Sequence, residues 1–436
     1  MRKLRLPFCL LFILFALASH LLAAEPPFAV SVATERPDAL YEIGDEVRFL
    51  IQARQGDKPV TVGEVRYTLN EDGVNPLGSG TVELTDTAAA VSGRMDKPGF
   101  LRCQVTWQPE GGKPLTALAG AAISPTKIVP SLPVPDDFDA FWADQKAKLA
   151  QMPIDPKLTP VDSPEAGIEC FDVQVPCLGG APVSGYFARP KGAQPKSLPV
   201  ILWVHGAGVR SATLYAAVNG AKQGMLSMDI NAHGIPNGKP PKYYEELSAG
   251  ELKDYRFRGR ESRQTVYFLG MFLRLVRAID FLTTQPEWNG KVVAVIGHSQ
   301  GGGQALAAGG LDSRVTVIAA GVPAICDHTG QAVGRINGWP KLVPNGADGK
   351  PEPAALEASR YVDAVNLASR CKADAIVSVG FIDVTCPATT CYAAYNQLQG
   401  KKRVINEPQM GHAAPAHIQE AFLDWIRAHV KANVAQ

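Results

Sequence analysis

The sequence has little that points to nucleic acid, metal or membrane binding. Its 436 residues carry 43 basic and 42 acidic side chains, without a basic run. Balanced charge of this kind gives no electrostatic basis for binding nucleic acid or an anionic membrane surface. The chain also lacks H-E-x-x-H, H-x-H and EF-hand spacings. We therefore predict no metal ion and no cofactor.

Cysteines are few and scattered, with eight in the whole chain and seven beyond residue 24. None of them forms the paired C-x-x-C spacing of a zinc site. Cys386 and Cys391 could approach each other at a helix start in an oxidising compartment. Buried free thiols are the interpretation that we favour.

Residues 1–24 have the pattern of a secretory signal. Three of the 43 basic residues come first, an apolar run covers residues 10–18, and Ala23 and Ala24 close the segment. The apolar run is too short for a membrane span. We predict that the signal is cleaved and that the protein is secreted or periplasmic, with no membrane attachment afterwards. Its removal leaves 40 basic against 42 acidic residues.

Residues 25–126 show alternation of apolar and polar residues in short runs separated by turn residues such as Glu71-Asp72-Gly73. Several short strands within about 100 residues predict an immunoglobulin-like β-sandwich domain. There is no aromatic cluster typical of a sugar-binding module, so a structural or spacer role is favoured. The predicted strands are Phe28–Ala33, Val47–Gln52, Val65–Leu69 and Phe100–Trp107.

Residues 127–436 follow a proline-rich joint and alternate between strand and helix patterns. The alternation starts at the apolar strand Pro199–Val204 and continues to the last helix. It predicts an α/β catalytic domain with a mostly parallel sheet covered on both faces. A polar excursion, residues 233–259, is too long for a plain connection and is expected to form part of a site wall or contact surface.

The motif Gly297-His298-Ser299-Gln300-Gly301 follows the apolar strand Val292–Ile296 and precedes an Ala/Leu-rich helix. G-x-S-x-G between a strand and a helix is the nucleophile elbow of the α/β-hydrolase fold. We predict Ser299 as the nucleophile. The backbone N–H of Gln300, at the helix start, is predicted to stabilise an oxyanion.

A nucleophilic serine needs a histidine base and an acid that orients it, and in this fold they follow in the order Ser, Asp, His on loops after strands. Asp383 follows the apolar run Ile376–Ile382, and His412 lies between the last strand and the last helix. We therefore predict the triad Ser299, Asp383 and His412. The candidates rejected by this rule are Asp363, Asp374, His417 and His429.

The second oxyanion donor is predicted in the loop after the first parallel strand, His205-Gly206-Ala207-Gly208. This assigns the backbone N–H of Ala207, paired with that of Gln300. His205 is expected to orient the loop, and His298 to be a side-wall or packing residue.

The stretch from Gly297 to Ala307, GHSQGGGQALA, resembles the acetyl xylan esterase and cephalosporin-C deacetylase family, and the resemblance covers about residues 133–433. It implies an α/β-hydrolase that removes acetyl groups from sugar hydroxyls with Ser299, Asp383 and His412. Members are often oligomeric rings, so a homo-oligomer is possible. Further similar segments are Pro135–Trp142, Tyr255–Gly259, Ala278–Leu282, Tyr361–Asn366, Val379–Pro387, Ala393–Asn396 and Gly411-His412.

The chain departs from the family pattern at three places. Ala207 stands where the family usually has tyrosine, which removes a bulky wall of the acetyl pocket. Asn231-Ala232-His233-Gly234 replaces R-G-Q-G, and Ala413 replaces a glutamate after the base. The expected substrate is an O-acetylated plant polysaccharide or oligosaccharide. Alternatives are larger acyl esters such as feruloyl esters, peptides, or non-catalytic carbohydrate binding.

Overall fold

The computed structural model describes residues 27–434. The predicted signal sequence, residues 1–24, lies outside the described residues. Among residues 27–434, no helix has both the length and the apolarity needed to cross a bilayer.

The N-terminal region, residues 27–126, is all β. One sheet contains β1, β3, β4 and β7, and the other has the order β2-β9-β8-β5-β6. Phe49 and Ile51 of β3 pack with Leu101 and Cys103 of β8 in a core shared by the two sheets, which therefore form a sandwich. The immunoglobulin type and the boundary at 126 stay predictions. The strands are β1 Phe28–Thr34, β2 Leu40–Tyr41, β3 Val47–Gln55, β4 Lys58–Val60, β5 Glu64–Glu71, β6 Asn75–Glu83, β7 Ala89–Gly93, β8 Gly99–Trp107 and β9 Leu115–Ile123.

Two long strands of this region escaped the sequence prediction for opposite reasons. Strand β6 is an edge strand, mostly exposed and rich in glycine and proline, so it has no buried face to produce an apolar alternation. Strand β9 is rich in alanine, and Ala119–Ile123 is buried without interruption. A strand covered on both faces loses the period of two.

The remaining strands form a nine-stranded sheet within residues 157–407, in the order β10-β11-β12-β14-β13-β15-β16-β17-β18. The first three strands pair antiparallel, β12 also pairs antiparallel with β14, and the other pairs are parallel. This confirms a mostly parallel sheet with an antiparallel entry. Its strands are β10 Lys157–Val161, β11 Ile168–Val175, β12 Val183–Pro190, β13 Leu198–Val204, β14 Leu226–Ile230, β15 Trp288–His298, β16 Val317–Gly321, β17 Asp374–Gly380 and β18 Lys402–Glu407.

Helices cover both faces of the sheet, as predicted. In β13, Val200 and Leu202 pack with one group of helices that includes α4 and α5, whereas Ile201 packs with α9 on the opposite face. This is the alternation expected of a strand between two helical layers. The helices are α1 Phe138–Ala150, α2 Leu214–Lys222, α3 Pro241–Ala249, α4 Tyr267–Thr283, α5 Gln300–Leu311, α6 Pro353–Ser359, α7 Ala364–Ala368, α8 Ala388–Gln397 and α9 Ala416–Val434.

The start of α1 departs from ordinary helix capping, in which an aspartate before the first turn accepts a hydrogen bond from a backbone N–H of that turn. Asp137 is the residue before the helix, but its side chain makes no capping hydrogen bond. Its carboxylate instead accepts hydrogen bonds from Arg263, at 2.6 Å, and from the Tyr361 hydroxyl. An arginine competes well for a carboxylate because the charged hydrogen bond is stronger than one to a neutral N–H.

The seven cysteines of the described residues are free and buried, including Cys386 and Cys391. This confirms the interpretation as buried thiols. Burial raises the pKa of Cys371 to about 11 and that of Cys103 to about 12, so these thiols stay protonated at neutral pH.

Candidate active site

Ser299 occupies a tight turn between β15 and α5. Its φ of 59° and ψ of −124° lie outside the helical and extended regions, as expected for a strained elbow. A Cβ on Gly297 or Gly301 would lie 2.5 or 2.2 Å from the carbonyl oxygen of Val204. These glycines are required because the turn presses against the neighbouring strand β13.

The structure brings the three predicted triad residues together. The Nε2 atom of His412 lies 2.9 Å from Ser299 Oγ, and its Nδ1 atom lies 2.7 Å from Asp383 Oδ2. Because a carboxylate can only accept, Nδ1 carries the proton and Nε2 is free to accept the Ser299 hydroxyl proton. Three side chains in this arrangement can act as a nucleophile, a base and an orienting acid.

Asp383 is held more rigidly than His412. Its side chain is fully buried, while that of His412 is 29% exposed. Its Oδ1 atom accepts hydrogen bonds from the N–H groups of Thr385, at 2.8 Å, and Cys386, at 2.9 Å. These bonds leave Oδ2 aimed at the histidine.

The loop after β17, which carries Asp383 (the acid loop), and the loop after β18, which carries His412 (the base loop), are also joined by backbone hydrogen bonds. Phe381 N–H donates to the carbonyl of Glu407, at 3.0 Å, and Ile382 N–H donates to that of Met410, at 3.2 Å. The two loops extend from the adjacent parallel strands β17 and β18. The segment before Asp383 and the segment before His412 therefore behave as one unit.

The two predicted oxyanion donors belong to different segments: Gln300 follows Ser299 in the chain, and Ala207 lies in the loop after β13. Gln300 is the first residue of α5, where N–H groups have no intrahelical acceptor. Ala207 is exposed in the loop after β13. A Cβ on the neighbouring Gly206 would lie 3.6 Å from the Cβ of Ser299, which places this loop directly beside Ser299.

His205 orients the loop 205–208 through hydrogen bonds, as expected. Its Nε2 atom accepts from Ala232 N–H, at 3.3 Å, and its Nδ1 atom donates to the carbonyl of Gly206, at 2.6 Å. Burial lowers the pKa of His205 to about 4, so the ring is neutral at neutral pH and can make both bonds. Gln304 of α5 adds a hydrogen bond to the His205 carbonyl, at 3.2 Å.

The polar excursion 233–259 supplies neighbours of the site that the sequence did not single out. The Tyr255 hydroxyl donates to Oε1 of the buried Gln300 side chain, at 2.7 Å. His233 stacks edge-on against Tyr255 and is hydrogen-bonded to Tyr267, at 2.7 Å. The density of tyrosines in this excursion was the available signal, but it did not indicate which of them would turn inward.

His298 and the rejected triad candidates make contacts with other parts of the fold. His298 stacks on Phe422, with ring centres 5.1 Å apart, which fits the packing role expected for it. The side-chain partners of the others are as follows: Asp363 accepts from the N–H groups of Val365, Asp327 and His328, Asp374 binds His429 at 3.0 Å, and Glu407 binds His417 at 2.7 Å.

One group of potential metal ligands occurs among residues 27–434, and it overlaps the triad: Asp383, Cys386 and His412, with ligand atoms within 4.8 Å of one another. Burial raises the pKa of Cys386 well above that of a free thiol. A metal would need the thiolate, and it would have to displace the hydrogen bond between Asp383 and His412. The chemistry of the group therefore fits proton transfer better than metal binding.

Comparison with known proteins identifies relatives of this chain. The family model of acetyl xylan esterase (AXE1) matches residues 126–429. Acetyl esterase Axe7A of Xylanibacter ruminicola is 29% identical over 441 residues, spanning 98% of this chain and 97% of that protein. An acetyl xylan esterase structure from Paenibacillus sp. R4 has 30% identity and a TM-score of 0.60, covering 70% of this chain and 98% of that chain.

A second solved structure, acetyl xylan esterase 1 from Thermoanaerobacterium sp. JW/SL YS485, shares the fold. Its identity is 21% and its TM-score 0.58, over 69% of this chain and 96% of that chain. Together these matches cover the elbow, the acid loop and the base loop, and they confirm the resemblance found in the sequence. The chain belongs to the acetyl xylan esterase family and is a serine ester hydrolase.

Proposed function

We propose that this esterase removes O-acetyl groups from a plant polysaccharide or oligosaccharide through the triad Ser299, His412 and Asp383. The observation that carries the proposal is the chain of two hydrogen bonds, 2.9 and 2.7 Å long, from Ser299 through His412 to Asp383 at a strained elbow. Family membership supplies the substrate class, because the relatives are named acetyl or acetyl xylan esterases.

In the proposed reaction, Ser299 Oγ attacks the acetyl carbonyl carbon while His412 Nε2 accepts its proton. The buried Asp383 carboxylate stabilises the resulting imidazolium. The backbone N–H groups of Gln300 and Ala207 stabilise the negative charge on the carbonyl oxygen. The sugar hydroxyl leaves with the proton from His412, and water then attacks the acetyl-serine to release acetate.

Acetate release from acetylated xylan tests this proposal directly. The wild-type protein should release acetate, and Ser299→Ala should fold normally but show no turnover. Comparable turnover by Ser299→Ala would refute the assignment of the nucleophile. Failure of a fluorophosphonate probe to label the wild-type protein would favour a non-catalytic carbohydrate-binding role.

A second candidate function, hydrolysis of esters with larger acyl groups, is favoured by the residue at position 207 in the loop after β13. Ala207 presents only a methyl group there. Hydrolysis of p-nitrophenyl esters of increasing chain length separates the candidates. A steep loss beyond acetyl supports deacetylation, and good activity on long chains without acetate from xylan supports the alternative.

We also propose that the protein is exported after cleavage of residues 1–24, and that residues 25–126 and 127–436 are separate domains. The support is the signal pattern and the change from an all-β to an α/β pattern near residue 126. N-terminal sequencing of protein recovered from the producing cells should begin near residue 24 or 25. A sequence starting at Met1 would contradict cleavage.

A further inference from the structure

Strand β8 of the N-terminal region faces two different cores. Its residues Leu101 and Cys103 point into the sandwich, but Phe100 belongs to the core of the nine-stranded sheet region. The ring of Phe100 lies edge-on to Phe381, with centres 5.0 Å apart, and 5.6 Å from Tyr392 of α8. Phe381 is two residues before Asp383, so Phe100 supports the start of the acid loop.

Strand β9 reaches the acid loop and the base loop together. The N–H of Gly120 donates to the carbonyl of Pro408, at 3.0 Å, four residues before His412. A Cβ on Gly120 would lie 2.6 Å from the Cβ of Phe381 and 2.8 Å from its carbonyl oxygen. Only glycine allows the strand to approach this closely.

The turn Asp72-Gly73, between β5 and β6, contacts the residues that follow Asp383 in the acid loop and in α8. Asp72 accepts a hydrogen bond from the Thr389 hydroxyl, at 2.5 Å, in the first turn of α8. A Cβ on Gly73 would touch Val384, the residue after Asp383, at 3.6 Å. Asp72 is itself bound to β8, since its N–H donates to the Phe100 carbonyl at 2.9 Å.

The base loop has one further link to the N-terminal region. The Gln409 side-chain amide donates to the carbonyl of Val32 in β1, at 3.0 Å. The segments before Asp383 and before His412 therefore contact the same body, and they are also hydrogen-bonded to each other. A shift of β8 or β9 would move the acid and the base together, relative to Ser299, which is held by β13 and β15.

We propose that the N-terminal region is a positioning part of the esterase site: Asp72, Phe100 and Gly120 fix the loops that place Asp383 and His412 against Ser299. The proposal rests on the triad assigned under the proposed function, and it replaces the spacer role expected from the sequence. None of the contacts described above joins Asp72, Phe100 or Gly120 to Ser299 or His412. The three residues therefore act through the acid and base loops, as positioning residues.

Two matched phenylalanine variants test the proposal in the full-length protein. Phe100 and Phe49 are both fully buried in the N-terminal region, but Phe49 lies in the core of the sandwich alone. Phe100→Leu should lower kcat for p-nitrophenyl acetate about tenfold or more with little change in KM, because small displacements of reacting groups are costly. Phe49→Leu should keep kcat near the wild-type value. Both are measured well below their Tm.

The rate of fluorophosphonate labelling supplies a second readout, since it reports how strongly His412 activates Ser299. It should fall in parallel with kcat in Phe100→Leu and not in Phe49→Leu. Equal kcat and labelling in the two variants, at comparable Tm, would overturn the positioning role. Turnover by Ser299→Ala would instead overturn the triad itself, so the two failures are distinguishable.

A milder pair covers the case in which Phe100→Leu does not fold. Thr389→Val keeps the shape of the side chain but loses the hydroxyl that binds Asp72, whereas Thr389→Ser keeps the hydroxyl. Thr389→Val should lower kcat several-fold, and Thr389→Ser should restore it to near the wild-type value. Wild-type kcat in both variants would show that the Asp72 contact does not position the site.

Discussion

In the proposed triad, Ser299 (the nucleophile side) and the pair Asp383 and His412 (the acid–base side) are supported by different parts of the chain. Ser299 is fixed by the hydrolase region alone, where Gly297 and Gly301 press against the Val204 carbonyl. The loops of Asp383 and His412 rest on both the hydrolase sheet and the N-terminal region. The strained turn at Ser299 is thus built from the hydrolase sheet. The positions of Asp383 and His412 depend in addition on contacts between residues more than 250 positions apart.

The largest expected effect comes from the acid–base side. Asp383→Asn should lower kcat by about 10⁴, because an amide favours the wrong histidine tautomer while preserving shape. Burst-phase and steady-state kinetics on p-nitrophenyl acetate measure it. Asp374→Asn is the control, since Asp374 binds His429 rather than His412. If kcat falls less than tenfold in Asp383→Asn, the assignment of Asp383 as the acid is wrong and another residue has that role.

On the nucleophile side, Ala207→Pro removes the proposed oxyanion N–H. We expect kcat to fall by about 10²–10³, as for removal of one oxyanion donor in other hydrolases. Ala207→Gly keeps the N–H and should retain most of kcat for acetyl esters. If both variants show the same kcat, the second oxyanion donor is not the N–H of Ala207 and must be another group near Ser299.

A smaller effect is expected for Tyr255→Phe, which removes the hydrogen bond to the buried Gln300 side chain. The unpaired amide oxygen should lower the free energy of unfolding by about 1–3 kcal/mol, with a modest loss of kcat. The midpoint of chemical denaturation measures the first. Tyr215→Phe is the control because Tyr215 is 80% exposed. An unchanged midpoint in Tyr255→Phe would show that Gln300 is held by other contacts.

The smallest effect on turnover is expected for Asp72→Asn, which can still accept from Thr389. Its effect is on the pH dependence of stability. Burial and, to a smaller extent, the charge of Glu71 raise the pKa of Asp72 to about 7, against the opposing influence of Thr389, Arg102 and Arg335.

Between pH 4 and 7 the folded state therefore holds a proton that the unfolded state has released. This contribution to stability is complete below the ordinary aspartate pKa of 3.8 and is lost as pH rises through about 7. Asparagine does not titrate, so the Tm of Asp72→Asn relative to wild type should increase from pH 5 to pH 8. The exposed Asp57→Asn is the surface control. A flat or decreasing difference in Asp72→Asn would contradict the raised pKa.

The proximity of Ser299, Asp383 and His412 could be predicted because each lies in a loop that follows a strand, with a clear apolar pattern in β15 and β17 and a weaker one in β18. The loop after an apolar strand is the place where a parallel sheet exposes functional groups, and Ser299, Asp383 and His412 all lie there. The fold class followed from the alternation of strands and helices for the same reason. These features depend on residues near in sequence, where periodicity is informative.

The support of the acid–base side could not be predicted in the same way. Glu71-Asp72-Gly73 has the composition of an ordinary turn, and nothing in it indicates a contact with Thr389, 317 residues later. Phe100 fits the alternation of β8 but gives no sign of which core it enters. A glycine such as Gly120 within a strand indicates that another part of the chain approaches closely, but the sequence does not show which part.

The free thiols of the described residues have a practical consequence for preparing the protein. Because Cys103 through Cys391 contribute no cross-link, folding of residues 27–434 requires no oxidant. Recombinant expression in a reducing cytosol should give the same active enzyme as expression with export. Buffers containing dithiothreitol should leave its melting temperature unchanged, and alkylating reagents should react with these cysteines only after denaturation.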